Sequence, residues 1–299
     1  MSLVSFVKVR KGGYHQVRQA ILDSLDLIQY KFRKAIRNVV IKPNMCYYWD
    51  YTTGQTTDPK FVAALVDVIR SQVSPDVHFS IVESDASAMK CRYAFKILGY
   101  EKMAQKHGIA LINLSEDESE RVGVTVGDQS FHFKVPRTIQ NADLRVNIPK
   151  IKYMPGVKLT CALKNIYGCN PYPNKFRYHR KLDEVIVALN KIMKFDLCVV
   201  DGNIVSGVQP YRLGLVMASQ DPVALEVAAA KIAGLNPKSI KHIMLANREG
   251  LGNASFIPKG MALDYFKARY PKRGPKSKLM SWAYKLVVTM GISERLGLG

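Results

Sequence analysis

Between Asn147 and Lys181 the chain reads NIPKIKYMPGVKLTCALKNIYGCNPYPNKFRYHRK, with eight lysines or arginines, one histidine and no aspartate or glutamate. A block of one sign repels itself, so it persists in a folded chain only where solvent or an anion faces it. Apolar residues, two glycines and four prolines run through the block, which points to a folded loop and helix and hence to a built anion site. Lys150 and Lys152 are two apart and share a side if the preceding strand continues; side by side they call for a counter-anion. Lys164 and Asn165 end a helical stretch that starts at Val157, with Gly168 as its stop. A lysine there also complements the helix dipole. His179 lies between Arg177 and Arg180; flanking cations favour a neutral ring, suited to acid–base work or anion contact.

Four more residues outside the block carry chemistry. Lys42 and Asn44, in Lys-Pro-Asn, put a cation and an amide at a strand end, a pair suited to gripping carboxylate or phosphate; structurally, Asn44 alone closes the turn. Asp85 and Asp201 are the acids at strand ends. Asp85 either contacts ligand or caps a helix, and Asp201 is the candidate acid–base, metal-linked or ribose-binding carboxylate. Asp58 and Asp221 each precede proline, and a helix cap explains both.

No glycine-rich phosphate loop is present, so side chains must hold the anion. The five cysteines (Cys46, Cys91, Cys161, Cys169, Cys198) are odd in number and far apart, without CxxC spacing or an iron–sulfur or zinc pattern. They read as free thiols in a reducing cytoplasm. No cofactor and no metal-ligand set is identified, no signal peptide opens the chain, and no apolar run approaches about 20 residues.

The 299 residues have an ordinary globular composition, 47% hydrophobic and 23% charged, but 44 Lys+Arg against 24 Asp+Glu leave a net charge of +20. Three anionic partners fit such a chain. The first is a phosphorylated or carboxylated small molecule. The second is nucleic acid, with Tyr47, Tyr48, Trp49 and Tyr51 available to stack bases. The third is an anionic membrane surface met by the basic residues from 271 onward.

The elements that must position these residues alternate. Strands are expected at Leu3–Val9, Val39–Ile41, Val77–Val82, Ile109–Ile112, Leu144–Ile148, Asp196–Val200 and Leu213–Ala218. Helices are expected over Tyr14–Phe32, from Pro59, from the turn at Glu83-Ser84-Asp85 to Leu98, over Leu182–Met193 and from Pro222 to Ile232. The fold class is therefore α/β: a mainly parallel sheet flanked by helices, with a small β-hairpin insertion near 115–135. Residues 1–258 form this domain, and 259–299 are a basic extension with a helix over 279–290. In such sheets sites lie at the carboxyl ends of the strands, which puts Lys42, Asn44, Asp85, Lys150 and Asp201 on one rim.

These motifs, in this order, resemble the domain-of-unknown-function family 362 over most of residues 4 to 245. The resemblance rests on Val40-Ile-Lys-Pro-Asn44, Thr57-Asp58-Pro59, Glu83-Ser84-Asp85 and the run from Asp143 through Asn147, Pro149, Lys150 and Lys152. It continues with Leu163-Lys164-Asn165, Gly168, Tyr178-His179, Val200-Asp201-Gly202, Gly214 and Ser219-Gln-Asp-Pro-Val223. It implies a fold more than a reaction. Many similar members carry a ferredoxin-like pair of cysteine clusters and would do redox work; this chain has a basic C-terminal segment instead. The combined expectation is a rim of Lys42, Asn44, Asp85, Lys150, Lys152, Lys164 and Asn165 that binds an anionic small molecule, with Asp201 and His179 as acid–base groups should it turn the ligand over.

Overall fold

The computed structural model of the chain describes residues 1–10 and 13–272. The expected helix over 279–290, and most of the basic extension, lie outside the described residues. Along the first half, β1 (Ser2–Lys8), α1 (Tyr14–Leu27), β2 (Asn38–Pro43), α2 (Pro59–Gln72), β3 (His78–Glu83), α3 (Cys91–Ile97), α4 (Tyr100–His107) and β4 (Ile109–Asn113) alternate. A hairpin of β5 (Ser119–Val126) and β6 (Gln129–Pro136) follows, then the short helix α5 (Arg137–Gln140) and β7 (Leu144–Ile148). The basic block folds as a small hairpin, β8 (Lys152–Met154) and β9 (Lys158–Thr160), then α6 (Ala162–Ile166), a loop, and α7 (Leu182–Ile192). The chain closes with β10 (Leu197–Val205), β11 (Tyr211–Ser219), α8 (Pro222–Ile232), α9 (Lys241–Arg248), β12 (Phe256–Gly260) and α10 (Leu263–Lys267).

Eight strands form one sheet in the order β12-β1-β11-β10-β7-β2-β3-β4. All neighbours pair in parallel except along β11, which runs against both β1 and β10. The fold is thus the expected mainly parallel α/β sheet. Strand β12 pairs with β1, so the expected boundary at residue 258 falls inside a sheet strand.

Helices cover both faces because the strands are apolar on both. In β2, Val39 and Ile41 face α1 and α2, whereas Val40 faces the opposite core; in β10, Val199 and Val200 split the same way. The helices α6, α7, α8 and α9 pack on the second face. Asp58 and Asp221 cap α2 and α8 as their Asp-Pro sequences dictate: Asp58 Oδ1 accepts from the Lys60 N–H at 2.8 Å, and Asp221 Oδ1 from Val223 and Ala224 at 2.9 Å.

Several boundaries depart from the expected ones, among them the end of α1, which stops at Leu27 and not at Phe32. The helix after β3 starts at Cys91, not at Ser84, because Asp85 reaches across the loop to accept the Cys91 N–H at 2.8 Å. The expected helix from Val157 is instead a turn and a strand: Pro155-Gly156-Val157 turns the chain, with Gly156 at φ +86°, Lys158–Thr160 is strand, and only Ala162–Ile166 is helical. Strand β10 runs on past Val200 to Val205, pairing with β11 after β7 has ended.

Candidate functional site

The carboxyl ends of β2, β3 and β7, and the overhang of β10, meet the basic block, and five lysine ammonium groups converge there. Lys42, the last-but-one residue of β2, donates to Glu83 Oε2 on the neighbouring strand β3 at 2.8 Å and to the Pro43 carbonyl at 2.7 Å. Gly168 closes over this pair: a Cβ there would lie 3.0 Å from Lys42 Nζ and 3.0 Å from Glu83 Oε1, so any side chain would press on the pair. Lys150, just past β7, meets Asp201 Oδ2 at 3.1 Å and the Ile204 carbonyl at 2.7 Å. Both members of each pair are buried.

The remaining three lysines have no carboxylate in contact among the described residues. Lys152 donates to Asn44 Oδ1 and to the Gln55 carbonyl, each at 2.8 Å. Lys175 donates to Ser84 Oγ at 2.5 Å and to the Asp85 carbonyl at 2.9 Å. Lys164 rests its ammonium on the face of Tyr167, 4.1 Å from the ring centroid. Five cations thus face two direct carboxylates, Glu83 and Asp201. The deficit appears in the titration of the group. Burial, then the charges of Lys175 and Lys152, bring the Lys164 ammonium down to about 7. Burial also brings Lys175 down to about 8, against the pull of Glu83, and lowers Lys152.

A row of buried amides ties these cations together. Lys152 donates to Asn44; Asn44 Nδ2 donates to Asn165 Oδ1 at 2.8 Å; Asn165 Nδ2 donates to Asn147 Oδ1 at 2.7 Å; Asn147 Nδ2 donates to the Ala162 carbonyl at 2.9 Å. Asn165 thereby joins α6 to the ends of β2 and β7. Asn44 does also close its turn, since its carbonyl accepts from the Thr57 N–H at 2.8 Å.

The expected site residues therefore meet at one place, with different degrees of access. Lys42, Asn44, Lys150, Lys152, Asn165 and Asp201 are buried, while Lys164 and His179 are half-buried. Lys150 and Lys152 both turn inward, each to a different partner. Asp201 uses both oxygens: Oδ2 also accepts the Asp58 N–H at 3.0 Å, and Oδ1 the Asn203 N–H at 3.1 Å. Asp85 receives Cys91 N–H and, through Oδ2, Lys90 at 2.9 Å; burial pushes its carboxyl up, but these donors hold it below its usual value. His179 sits beside Lys164 and against Phe176, ring centroids 4.3 Å apart; burial and the Lys164 charge bring it down to about 4, so the ring is neutral at neutral pH.

Sequence reasoning passed over four contributors: Glu83 and Ser84 as lysine partners, Lys175, and the buried Glu226. Glu226 stands alone among apolar residues in PVALEVAAAKI, a readable signal of a buried partner. Its Oε2 accepts the Leu163 N–H at 2.9 Å, at the start of α6, and its Oε1 lies 3.4 Å from Nε2 of the buried His242. His242 Nδ1 is 3.1 Å from Asp183. Burial pushes this imidazole down, but the two carboxylates override it and hold it above its ordinary value. A separate cavity of about 310 Å³ lies near the start of β10, lined by Asn190, Lys191, Lys194 and Cys198. Its Lys191 is already paired with Glu249 at 2.7 Å, and Lys194 is in solvent, so the uncompensated charge lies at the rim. Among the described residues no cluster of three or more His, Cys, Asp or Glu could hold a metal ion, and no helix is long and apolar enough to cross a membrane.

Fold and rim together define a mainly parallel α/β protein with a lysine-lined site at the carboxyl ends of its strands. The chain belongs to the family described as domain of unknown function DUF362, whose profile matches residues 39–231. It is 29% identical over 140 residues to a thylakoid-associated protein of Synechocystis, a match covering 42% of this chain and 44% of that protein. The chain thus spans less than half of that relative. Among solved structures it is similar to the lactate racemase apoprotein from Thermoanaerobacterium thermosaccharolyticum (11% identity, TM-score 0.46, 79% of this chain and 58% of that one). It is also similar to a protein from Thermotoga maritima (10% identity, TM-score 0.41, 79% and 59%).

Proposed function

We propose that the rim binds a small anion, a phosphorylated or carboxylated metabolite, between the lysines that lack a carboxylate. One observation carries the reading: Lys152, Lys164 and Lys175 converge with neutral oxygens, the Cys46 thiol or a ring as partners and no carboxylate in contact among the described residues. Buried ammonium groups in that state favour losing their protons, and a bound anion reverses the balance. Asn44, Asn165 and Asp85 position the cations, while Lys42 and Lys150 are already neutralised by Glu83 and Asp201. If the ligand is turned over, the half-buried, neutral His179 suits proton transfer better than Asp201, whose oxygens are all engaged.

The test is a thermal-shift and calorimetric screen with inorganic phosphate, phosphorylated sugars and small carboxylates. A selective stabilisation, weakened by Lys164→Ala and Lys175→Met, is the expected result. If no small anion raises the melting temperature, the reading is wrong. Two further readings have their own support. Tyr47 and Trp49 are 45% and 55% exposed beside the rim, as base stacking requires, and steeply salt-dependent oligonucleotide binding would favour nucleic acid. The thylakoid association in the relative's name supports contact with a membrane surface; sedimentation with anionic vesicles, lost on truncation after residue 272, would favour it.

A further inference from the structure

Lys164 differs from the other four lysines of the rim in access and in bonding. Lys42, Lys150, Lys152 and Lys175 are buried, and each meets two oxygens. Lys164 is half-buried, and among the described residues neither a carboxylate nor a hydrogen-bond acceptor meets its ammonium. It is also held still. The Leu163 N–H is fixed by Glu226, the Leu163 carbonyl accepts from Asn190 Nδ2 at 2.8 Å, and the next residue, Asn165, is bonded at both ends of its amide. The ring under the ammonium is fixed in turn, because the Tyr167 hydroxyl donates to the Lys175 carbonyl at 2.5 Å. A clamped backbone therefore delivers one half-buried amine, without a hydrogen-bond acceptor among the described residues, to the middle of a group of cations. An amine is nucleophilic only when neutral, and enclosure beside other cations is the usual means of making a lysine so.

We propose that Lys164 is a nucleophilic amine that forms an imine with the carbonyl group of an anionic aldehyde or keto acid held on the rim. The proposal rests on the anion-binding reading and deepens it by naming the substrate class. Lys175 and Lys152 would face the carboxylate or phosphate, leaving the carbonyl carbon to Lys164. The Nζ lone pair forms the N–C bond and the carbonyl electron pair moves to oxygen. A proton passes from nitrogen to that oxygen, giving a carbinolamine. The hydroxyl then leaves as water, taking a second proton, and the nitrogen lone pair closes the C=N bond. Amine and carbonyl become imine and water, with no change of oxidation state. His179, neutral and beside Lys164, is placed to carry each of the two protons from nitrogen to the departing oxygen. In the free protein, burial and the charges of Lys175 and Lys152 lower the Lys164 ammonium to about 7, in keeping with this role.

The experiment uses the full chain with pyridoxal 5′-phosphate, an anionic aldehyde whose absorbance changes on imine formation. Sodium borohydride then fixes the adduct, and peptide mass spectrometry locates it; inorganic phosphate is the competitor, and phosphate binding is measured separately by thermal shift. The expected result is near-stoichiometric labelling of Lys164, at least tenfold above any other lysine, suppressed by phosphate and absent in Lys164→Arg. Should Lys164→Arg fail to fold, site mapping on the natural chain decides alone. Labelling spread over surface lysines and indifferent to phosphate overturns the proposal. Phosphate binding with Lys164 left unlabelled overturns the imine and leaves the anion site standing. If neither phosphate nor the probe binds, the anion reading falls and the imine with it.

Discussion

Replacing Asp201 with asparagine tests whether the rim's charges are buried as described. The change keeps the shape and one carbonyl oxygen but removes the charge that faces Lys150 at 3.1 Å, where both side chains are only 1% exposed. Lys150 would then hold its ammonium against the Ile204 carbonyl and an amide alone. Breaking a buried ion pair by removing one partner costs about 3–5 kcal/mol. In a chain of this size about 1 kcal/mol moves the melting temperature by about 2 °C, so Asp201→Asn should lose roughly 6–10 °C. Lys150→Met should cost less, because the carboxylate left behind keeps the Asp58 and Asn203 N–H donors. In the double variant no buried charge is stranded, and its loss should fall short of the summed single losses by about 2 kcal/mol. Urea unfolding of the four proteins closes the cycle. Single losses that simply add, or an Asp201→Asn loss under about 2 °C, would refute the buried pair.

Gly168→Ala should destabilise by about 1–3 kcal/mol, because its methyl would press on the Lys42–Glu83 pair from 3.0 Å; urea unfolding measures it. Anion affinity should fall as pH rises from 7 to 9, since Lys164 and Lys175 lose their protons near about 7 and about 8; calorimetry in buffers of different ionisation heat should show proton uptake on binding. The buried His242 is held above its ordinary value by Asp183 and Glu226, so its stabilisation is complete below about 6.5 and disappears as pH rises through the higher folded value. Lys164 and Lys175, with lowered values, act in the opposite sense, so the difference between natural chain and His242→Gln is the quantity to measure: it should shrink from pH 6 to pH 9. Glu226→Gln should loosen α6 and thereby reduce phosphate binding as well as stability, read by thermal shift with and without phosphate.

Much of this architecture was legible because it is local. Asp-Pro at positions 58 and 221 forces a cap, and strand ends follow from where apolar runs of period two stop. The α/β class and the rim then follow from the alternation. Pairings across long separations were not legible. That Asp201 neutralises Lys150 depends on β10 running beyond β7, which no window of sequence shows. The capture of Lys175 by Ser84, 91 residues away, depends on how the loop after α6 folds back. The helix expected from Val157 failed for a physical reason: the apolar spacing there is ambiguous, and the Pro155-Gly156 turn decided it in favour of a hairpin.

The asparagine row has a direction. A lysine ammonium has only hydrogens to give, and a peptide carbonyl has only lone pairs, so Lys152 at one end and the Ala162 carbonyl at the other fix which way each amide between them must point. Asn44, Asn165 and Asn147 share one choice: turning any of them alone would set oxygen against oxygen or hydrogen against hydrogen between buried neighbours. The orientation of three side chains from three different segments therefore behaves as a single unit, held by Lys152 at one end and by the Ala162 carbonyl at the other. A disturbance at either end, at Lys152 or at the Ala162 carbonyl, is therefore felt along the whole row, as far as the first residue of the helix that presents Lys164.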